Sequence, residues 1–356
     1  MKRLLYLALM LLIVSSCSNN EQDVKIIKAD KIDFNDWASL MEIVEVVTFP
    51  ETQSAPKLSV ANECMVTDHR IFFWDNSAGL VYAYDIEGNY LFTVGGIGRS
   101  DREYISISDI ALTPDQSEIH ILDKSGVKEY DAETGAFLRK KTFSSIDCST
   151  IQAFQPCGND EFYVFTREKD HSICKIDADD KITMLRKRNG YQMVYKRFLL
   201  TNNRYMILPD YGQFTIDSIK ENKIVPSYKI DLGSNSLPKN MIPADFESFA
   251  KVDDSKDYFK VVLDSYENDE FLYALLVGPN HVFYDLFYSK AKDKVYMGPT
   301  DDSTNIVFVG MDNEYLYGLV YLDYVKETSP YYDLLSPYKE KNLLNPLLVK
   351  LKLKNV

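Results

Sequence analysis

The chain has 356 residues and carries 53 Asp and Glu against 40 Lys and Arg, a formal net charge of −13. That balance argues against a nucleic-acid-binding protein and against electrostatic adhesion to anionic lipid, both of which need clustered positive charge. Hydrophobic residues make up 46% of the chain, with 25 Tyr and 19 Phe, a composition that fits a folded protein with a large core.

At the amino terminus, Lys2 and Arg3 precede an apolar run from Leu4 to Val14, followed by Val14-Ser15-Ser16-Cys17. The run is too short to span a bilayer, which takes about 20 residues, and reads as a signal peptide. The Val-Ser-Ser-Cys stretch resembles the lipobox of bacterial lipoproteins, cut before a Cys that has already been diacylated. Residues 1–16 are therefore expected to be signal peptide, Cys17 the lipidation site, and 17–30 a polar lipidated tether. An ordinary secretory peptide with an incidental Cys is the alternative. Loss of Lys2 and Arg3 would take the charge from −13 to −15. Ser18 is not the Asp that retains many lipoproteins in the inner membrane, so the resemblance implies the outer membrane, on either its periplasmic or its outer face.

Residues 31–356 read as one domain. Met41 to Phe49 (MEIVEVVTF) is an apolar-rich run with no partner of its own nearby. Beyond it lies a repeat. Ile71 to Asp75 (IFFWD) and Val81 to Gly88 (VYAYDIEG) are echoed by Ile119 to Asp123 (IHILD) and Val127 to Gly135 (VKEYDAETG), so that Tyr84 and Asp85 return as Tyr130 and Asp131. A weaker copy places Ile176 and Asp177 after Phe162 to Phe165. Apolar, β-branched and aromatic runs ending in Asp are strand signals, and the Asp and Gly that follow suit tight turns.

Three degenerate copies follow, at Tyr205 to Asp210 with Phe214 to Asp217, at Phe271 to Val277 with Val282 to Tyr288, and at Tyr315 to Leu322 with Leu347 to Leu353. A repeat of about 46 residues is the length of a propeller blade. The expected fold is an all-β, six-bladed β-propeller with four-stranded antiparallel blades. It is closed by the strand at Met41 to Phe49 pairing with Leu347 to Leu353, which would hide an open edge. Two long connections, Leu232 to Asp269 and Asp323 to Pro346, exceed a hairpin loop, and the first includes an expected short helix at Ala244 to Lys251.

Cys64, Cys148, Cys157 and Cys174 show no zinc or disulfide spacing; Cys148 and Cys157 are placed for a pairing across a hairpin, with buried free thiols the other reading. His69, His120, His171 and His281 are scattered and read as surface or turn residues, so no metal ligand is assigned. Arg186, Lys187, Arg188, Lys196 and Arg197 form a basic patch, and Asp253, Asp254, Asp257, Asp301 and Asp302 form acidic loops without EF-hand spacing; both read as solvated faces. Walker and Gly-x-Ser-x-Gly motifs are absent from the sequence.

Between the first two blades runs Gly95-Gly96-Ile97-Gly98-Arg99-Ser100-Asp101-Arg102-Glu103-Tyr104. Val46 to Lys141 resembles the six-bladed, NHL-like β-propeller lipoproteins of Gram-negative gut and environmental bacteria, a family without an assigned activity. Its members carry a Gly-x-Gly-Pro-Gly-Glu-Tyr run here. Glu103 and Tyr104 match and the central Pro-Gly does not. Asn345-Pro346-Leu347-Leu348 looks like the family's closing strand. The glycine-rich run has two readings: a site where Arg99, Arg102, Glu103 and Tyr104 contact a ligand, the two arginines holding a carboxylate or sulfate, or a crossing in which Glu103 and Tyr104 latch one blade to the next.

Two functional classes follow. One is a monomeric, membrane-anchored binding module for an envelope protein, peptide or glycan, with no cofactor assigned. The other is a propeller lyase or hydrolase with a metal or polar site in the central channel, which requires polar groups converging at one mouth.

Overall fold

The computed structural model describes residues 24–354 apart from 52–54, 59–60, 159, 168–171, 188–197, 202–203, 255 and 342. The signal peptide, Cys17, Ser18, His171, Arg188, Lys196 and Arg197 lie outside the described residues. None of the described helices is long and apolar enough to cross a membrane.

The chain enters through two short strands, β1 (Lys25–Lys28) and β2 (Met41–Val47). Blade 1 follows as β3 (Ala61–Val66), β4 (Ile71–Asp75), β5 (Leu80–Tyr84) and β6 (Tyr90–Val94), and blade 2 as β7 (Asp109–Leu112), β8 (Glu118–Asp123), β9 (Gly126–Asp131) and β10 (Phe137–Lys141). Blade 3 is β11 (Ile151–Gly158), β12 (Glu161–Thr166), β13 (Ile173–Ile176) and β14 (Ile182–Arg186); blade 4 is β15 (Phe198–Thr201), β16 (Arg204–Ile207), β17 (Thr215–Lys220) and β18 (Lys223–Asp231). Blade 5 is β19 (Val261–Glu267), β20 (Phe271–Val277), β21 (Phe283–Ser289) and β22 (Lys294–Pro299). Blade 6 is β23 (Ile306–Met311), β24 (Leu316–Val320) and β25 (Leu347–Leu353), completed on its outside by β2. The expected six-bladed, four-stranded antiparallel propeller is what forms.

Each of the six paired runs read from the sequence supplies the two middle strands of a blade. Neighbouring blades press on both faces of these strands, so β4 and β24 are buried along their whole length and β8 along most of it. The terminal Asp residues close the turns. Asp75 Oδ1 accepts hydrogen bonds from the amides of Ser77 and Ala78, both at 2.9 Å, and Asp123 Oδ1 accepts from Ser125 N at 2.7 Å. Asp85 and Asp131 act likewise one turn later, where Gly88 and Gly135 take positive φ.

Closure follows the expected pairing of the amino-terminal run with the last strand. Met41 faces Leu353 and Val47 faces Leu348 across an antiparallel ladder with a bulge between Ile43 and Glu45. Glu45 pairs with Lys350 at 2.8 Å, and Tyr331 Oη donates to Met41 O at 2.9 Å. Asn345, in the sequence's closing motif, accepts from Leu58 N at 2.7 Å and donates to Phe49 O at 2.9 Å, pinning the segment that leads from β2 into blade 1.

The structure departs from the sequence reading at the tether. Lys25–Lys28 is not free: β1 adds a fifth strand to blade 4, parallel to β18, and Ala29 N donates to Asp231 O at 2.8 Å. Burial of Ile27 between flanking exposed residues holds it there. From β1 the chain runs along the outer strand of blade 5, where Phe34 N donates to Met297 O at 3.0 Å and Trp37 Nε1 donates to Pro299 O at 3.0 Å. Phe34 also meets Trp37 and Tyr296 edge-on at 4.8 and 5.2 Å. Residues 25–47 thus form one strap over blades 4, 5 and 6, joined by the short helix α1 (Trp37–Leu40). Each large buried side chain in it, such as Trp37, Leu40 and Met41, contributes about 1.5–3 kcal/mol.

Of the two long connections, the first holds the expected helix, displaced slightly to α2 (Phe246–Asp253) and begun by a capping box between Asp245 and Ser248. Its last part is no insertion at all but β19, the inner strand of blade 5. The second folds into an unexpected helix, α3 (Tyr332–Glu340), with Pro337 inside it. The acidic loops have local partners: Asp301 accepts from Ser303 N and Thr304 Oγ1, Asp302 pairs with Lys326, and Asp253 accepts from Tyr211 Oη.

Two expectations test this account. A Cβ on Gly298 would stand 1.7 Å from Phe34 O, and its backbone needs no positive φ, so Gly298→Ala acts through the strap alone. It should lower stability by about 1–3 kcal/mol in chemical denaturation, and an unchanged midpoint would contradict the docking described. Beneath the strap, Asp285 accepts from Tyr273 Oη at 2.8 Å, and burial raises its pKa from 3.8 to about 6. Its folded form therefore keeps a proton that the unfolded chain has lost, and the associated stability, on the order of 3 kcal/mol, is full below about pH 4 and lost as pH rises through 6. Denaturation of the wild type and Asp285→Asn across pH 4–8 should show the wild-type advantage shrinking over that window; a constant difference would refute the assignment.

Candidate functional site

Six inner strands, β3, β7, β11, β15, β19 and β23, surround the propeller axis. Their side chains alternate between the blade core and the axis, which explains why these strands carry Glu63, Asp109, Asp264 and Gln155 among apolar residues. Asp109 Oδ2 accepts from Phe154 N at 2.8 Å, and Gln155 Nε2 donates to Leu112 O at 2.9 Å, so polar groups tie the inner strands of blades 2 and 3 together.

The channel opens at both ends. A cavity of about 940 Å³ lies at the mouth formed by the starts of the inner strands and by residues 321–324 and 343–346 of blade 6. The opposite mouth holds about 540 Å³ beside the turns at Thr67, Thr113 and Asp312. Glu63, Asp109, Tyr266 and Val309 line both cavities and stand where they meet. There Tyr266 Oη donates to Asp264 Oδ2 at 2.6 Å, and the Tyr266 ring stacks on Tyr273 at 6.0 Å.

The electrostatic character of the two mouths is one-sided. Glu63, Asp109, Asp264 and Asp323 line the wider one, and Asp68, Asp269 and Asp312 join Glu63 and Asp109 at the other. Lys, Arg and His are absent from the lining of either mouth among the described residues. Low-dielectric walls concentrate such a field, so the axis favours cations and repels anions. Trp74, Tyr321 and Tyr324 add aromatic surface at the wide mouth, and Tyr324 is 62% exposed.

The glycine-rich run lies away from this axis. Glu103 bends back to accept from Ser100 N at 2.9 Å, and a Cβ on Gly98 would stand 2.1 Å from its carboxylate. These hydrogen bonds hold its pKa below the usual value, the Ser100 amide contributing most. Tyr104 is buried, donates from its hydroxyl to Val94 O at 3.0 Å, and bridges to Ile97. Tyr130 of blade 2 donates to Arg102 O at 3.0 Å. Glu103 therefore shapes the loop and Tyr104 packs in an apolar cluster shared by blades 1 and 2, while Arg99 and Arg102 are exposed.

Cys148 and Cys157 do not pair with each other, and burial pushes the Cys157 thiol up to about 12. Arg186 of the basic patch pairs with Asp217. His69 is exposed in a turn and His281 is exposed beside Lys260, as expected of surface residues. His120 corrects that expectation: it is 3% exposed, within blade 2, against Glu118 and Glu129. A readable signal existed, since Glu118-x-His120 places both side chains on one face of a strand.

No curated protein matches the chain. Among solved structures, a predicted exported protein of Bacteroides fragilis superposes with a TM-score of 0.76 at 15% identity, over 93% of this chain and 100% of its own. A member of the DUF4221 family from Bacteroides vulgatus gives 0.58 at 10% identity, over 89% and 99%. At these identities the likeness shows a common fold. The family model described as "Domain of unknown function (DUF4934)" matches residues 23–355, from the start of the strap to the closing strand, and the chain belongs to that family.

Proposed function

We propose that the protein is an exported, envelope-anchored binding module whose wide channel mouth receives a cationic segment of a peptide or protein partner. The observation that carries this reading is the set of carboxylates that line both ends of the axis. The exposed Tyr324 ring next to Asp323 suits a Lys or Arg side chain, which gains from a carboxylate and an aromatic face together. The enzyme alternative called for a metal held by His or Asp at the axis; the three described histidines lie outside the channel lining, and the axial Asp109 and Asp264 accept hydrogen bonds from Phe154 N and Tyr266 Oη. Export is supported by the signal-peptide pattern and by the similarity to a predicted exported protein. Anchoring rests on the lipobox-like run ending in Cys17.

Fluorescence anisotropy with a Lys-rich, a Glu-rich and a neutral oligosaccharide probe tests the binding claim. The Lys-rich peptide should bind, more weakly as salt rises, and Asp323→Asn should weaken it about five- to tenfold, roughly 1 kcal/mol. Equal binding of the Glu-rich peptide, or binding of the oligosaccharide alone, would overturn it. For the anchor, Cys17→Ala should move the protein from the membrane pellet to the soluble fraction on cell fractionation; retention in the pellet would refute lipidation at Cys17.

A further inference from the structure

A second polar site lies away from the channel, between blades 2 and 3. The cross-strand register lines up Ala111, His120, Glu129 and Arg139 across the four strands of blade 2 on the face toward blade 3, where the His120 ring lies 6.0 Å from Phe162. Glu118, two residues before His120, shares that face. His120 Nε2 is 2.8 Å from Glu118 Oε2 and 3.9 Å from Glu129 Oε2, and the three ligating atoms lie within 4.8 Å of one another. Beside them a cavity of about 580 Å³ opens, lined by Glu118, His120, Arg139 and, from blade 3, Asp160.

The cluster is short of positive charge. Glu118, Glu129 and Asp160 face one guanidinium, that of Arg139, which lies 2.6 Å from Glu129, 3.8 Å from Glu118 and 2.9 Å from Asp160. Glu129 is 0% exposed; its Oε2 meets the Arg139 Nε, its Oε1 has no hydrogen-bond partner, and His120 Nδ1 is also buried without one. Buried polar atoms are almost always satisfied, so the orphaned Glu129 Oε1 beside an imidazole and a second carboxylate calls for a further cation.

The geometry points to a divalent transition-metal site, of the type suited to Zn²⁺, held by Glu118, His120 and Glu129 with its remaining coordination positions facing the cavity. One imidazole nitrogen and two carboxylates are a common donor set for such ions, at about 2.0–2.2 Å from each ligand. Arg139 is no obstacle: its side chain is 51% exposed and already reaches Asp160, so it can release Glu129 while keeping that partner.

The test is isothermal titration calorimetry of the full chain, stripped with chelator, using Zn²⁺ alone and then Mn²⁺ and Ni²⁺. One Zn²⁺ per chain is expected, with a raised melting temperature. Affinity should fall at least tenfold, about 1.4 kcal/mol, in His120→Gln and Glu129→Gln. Glu118→Gln, at a more accessible position, should show the same loss with an unchanged circular dichroism spectrum and serves if the buried variants fold poorly. Absence of saturable binding by all three ions, or binding that survives all three substitutions, would overturn the site.

Discussion

A ring of blades has a seam, and in this protein the seam is closed by β-pairing between the two ends of the chain. Without β2, the Leu-rich strand β25 would present an open, apolar edge, a geometry prone to aggregation. The strap does more than add that strand. It first pairs with blade 4, then runs along blade 5 before it reaches blade 6, so the last three blades are held by one continuous segment. Sequence-distant contacts such as Met41 with Leu353 carry a high loop-closure cost, which the buried Trp37, Leu40 and Met41 offset.

Closure is also what makes the axis a site. The carboxylates at the two mouths come from several blades and repel one another, a force that would spread those blades if the ring were open. A closed ring holds them at fixed positions, with Asp109 tying blade 2 to blade 3 and the Asp264–Tyr266 pair set at the waist. A rigid acidic mouth suits capture of a preformed cationic segment, because little ordering cost is left to be met on binding. The His120 cluster uses the same rigidity differently, at an interface between blades rather than at the axis.

What could be read in the sequence follows from burial. The middle strands stand out because both faces are covered, giving runs such as IFFWD and FLYALLV. Inner strands such as VVLDSYE mix core-facing and axis-facing residues, and outer strands such as FLRKK are half exposed, so neither rises above background. β2 was legible as an apolar run lacking a partner, whereas β1, KIIK, buries a single Ile and looks like tether. Helix α2 begins at a capping box of Asp245 and Ser248, whereas α3 has no side-chain cap and contains Pro337. The channel carboxylates were invisible because residues such as Glu63 and Asp264 meet only through the ring. His120 was misread as a surface residue because Glu129 lies across a hairpin, and only the register of β8 with β9 brings the two together.

The most direct measurement compares a chain beginning at Val24 with one beginning at Pro50, by hydrogen–deuterium exchange and thermal melting. Loss of the strap should strip amide protection from Leu347–Leu353 and Leu316–Val320 and lower the melting temperature by roughly 10 °C or more. Equal melting temperatures with unchanged protection in blade 6 would show that the ring closes without its amino-terminal segment and would contradict the account.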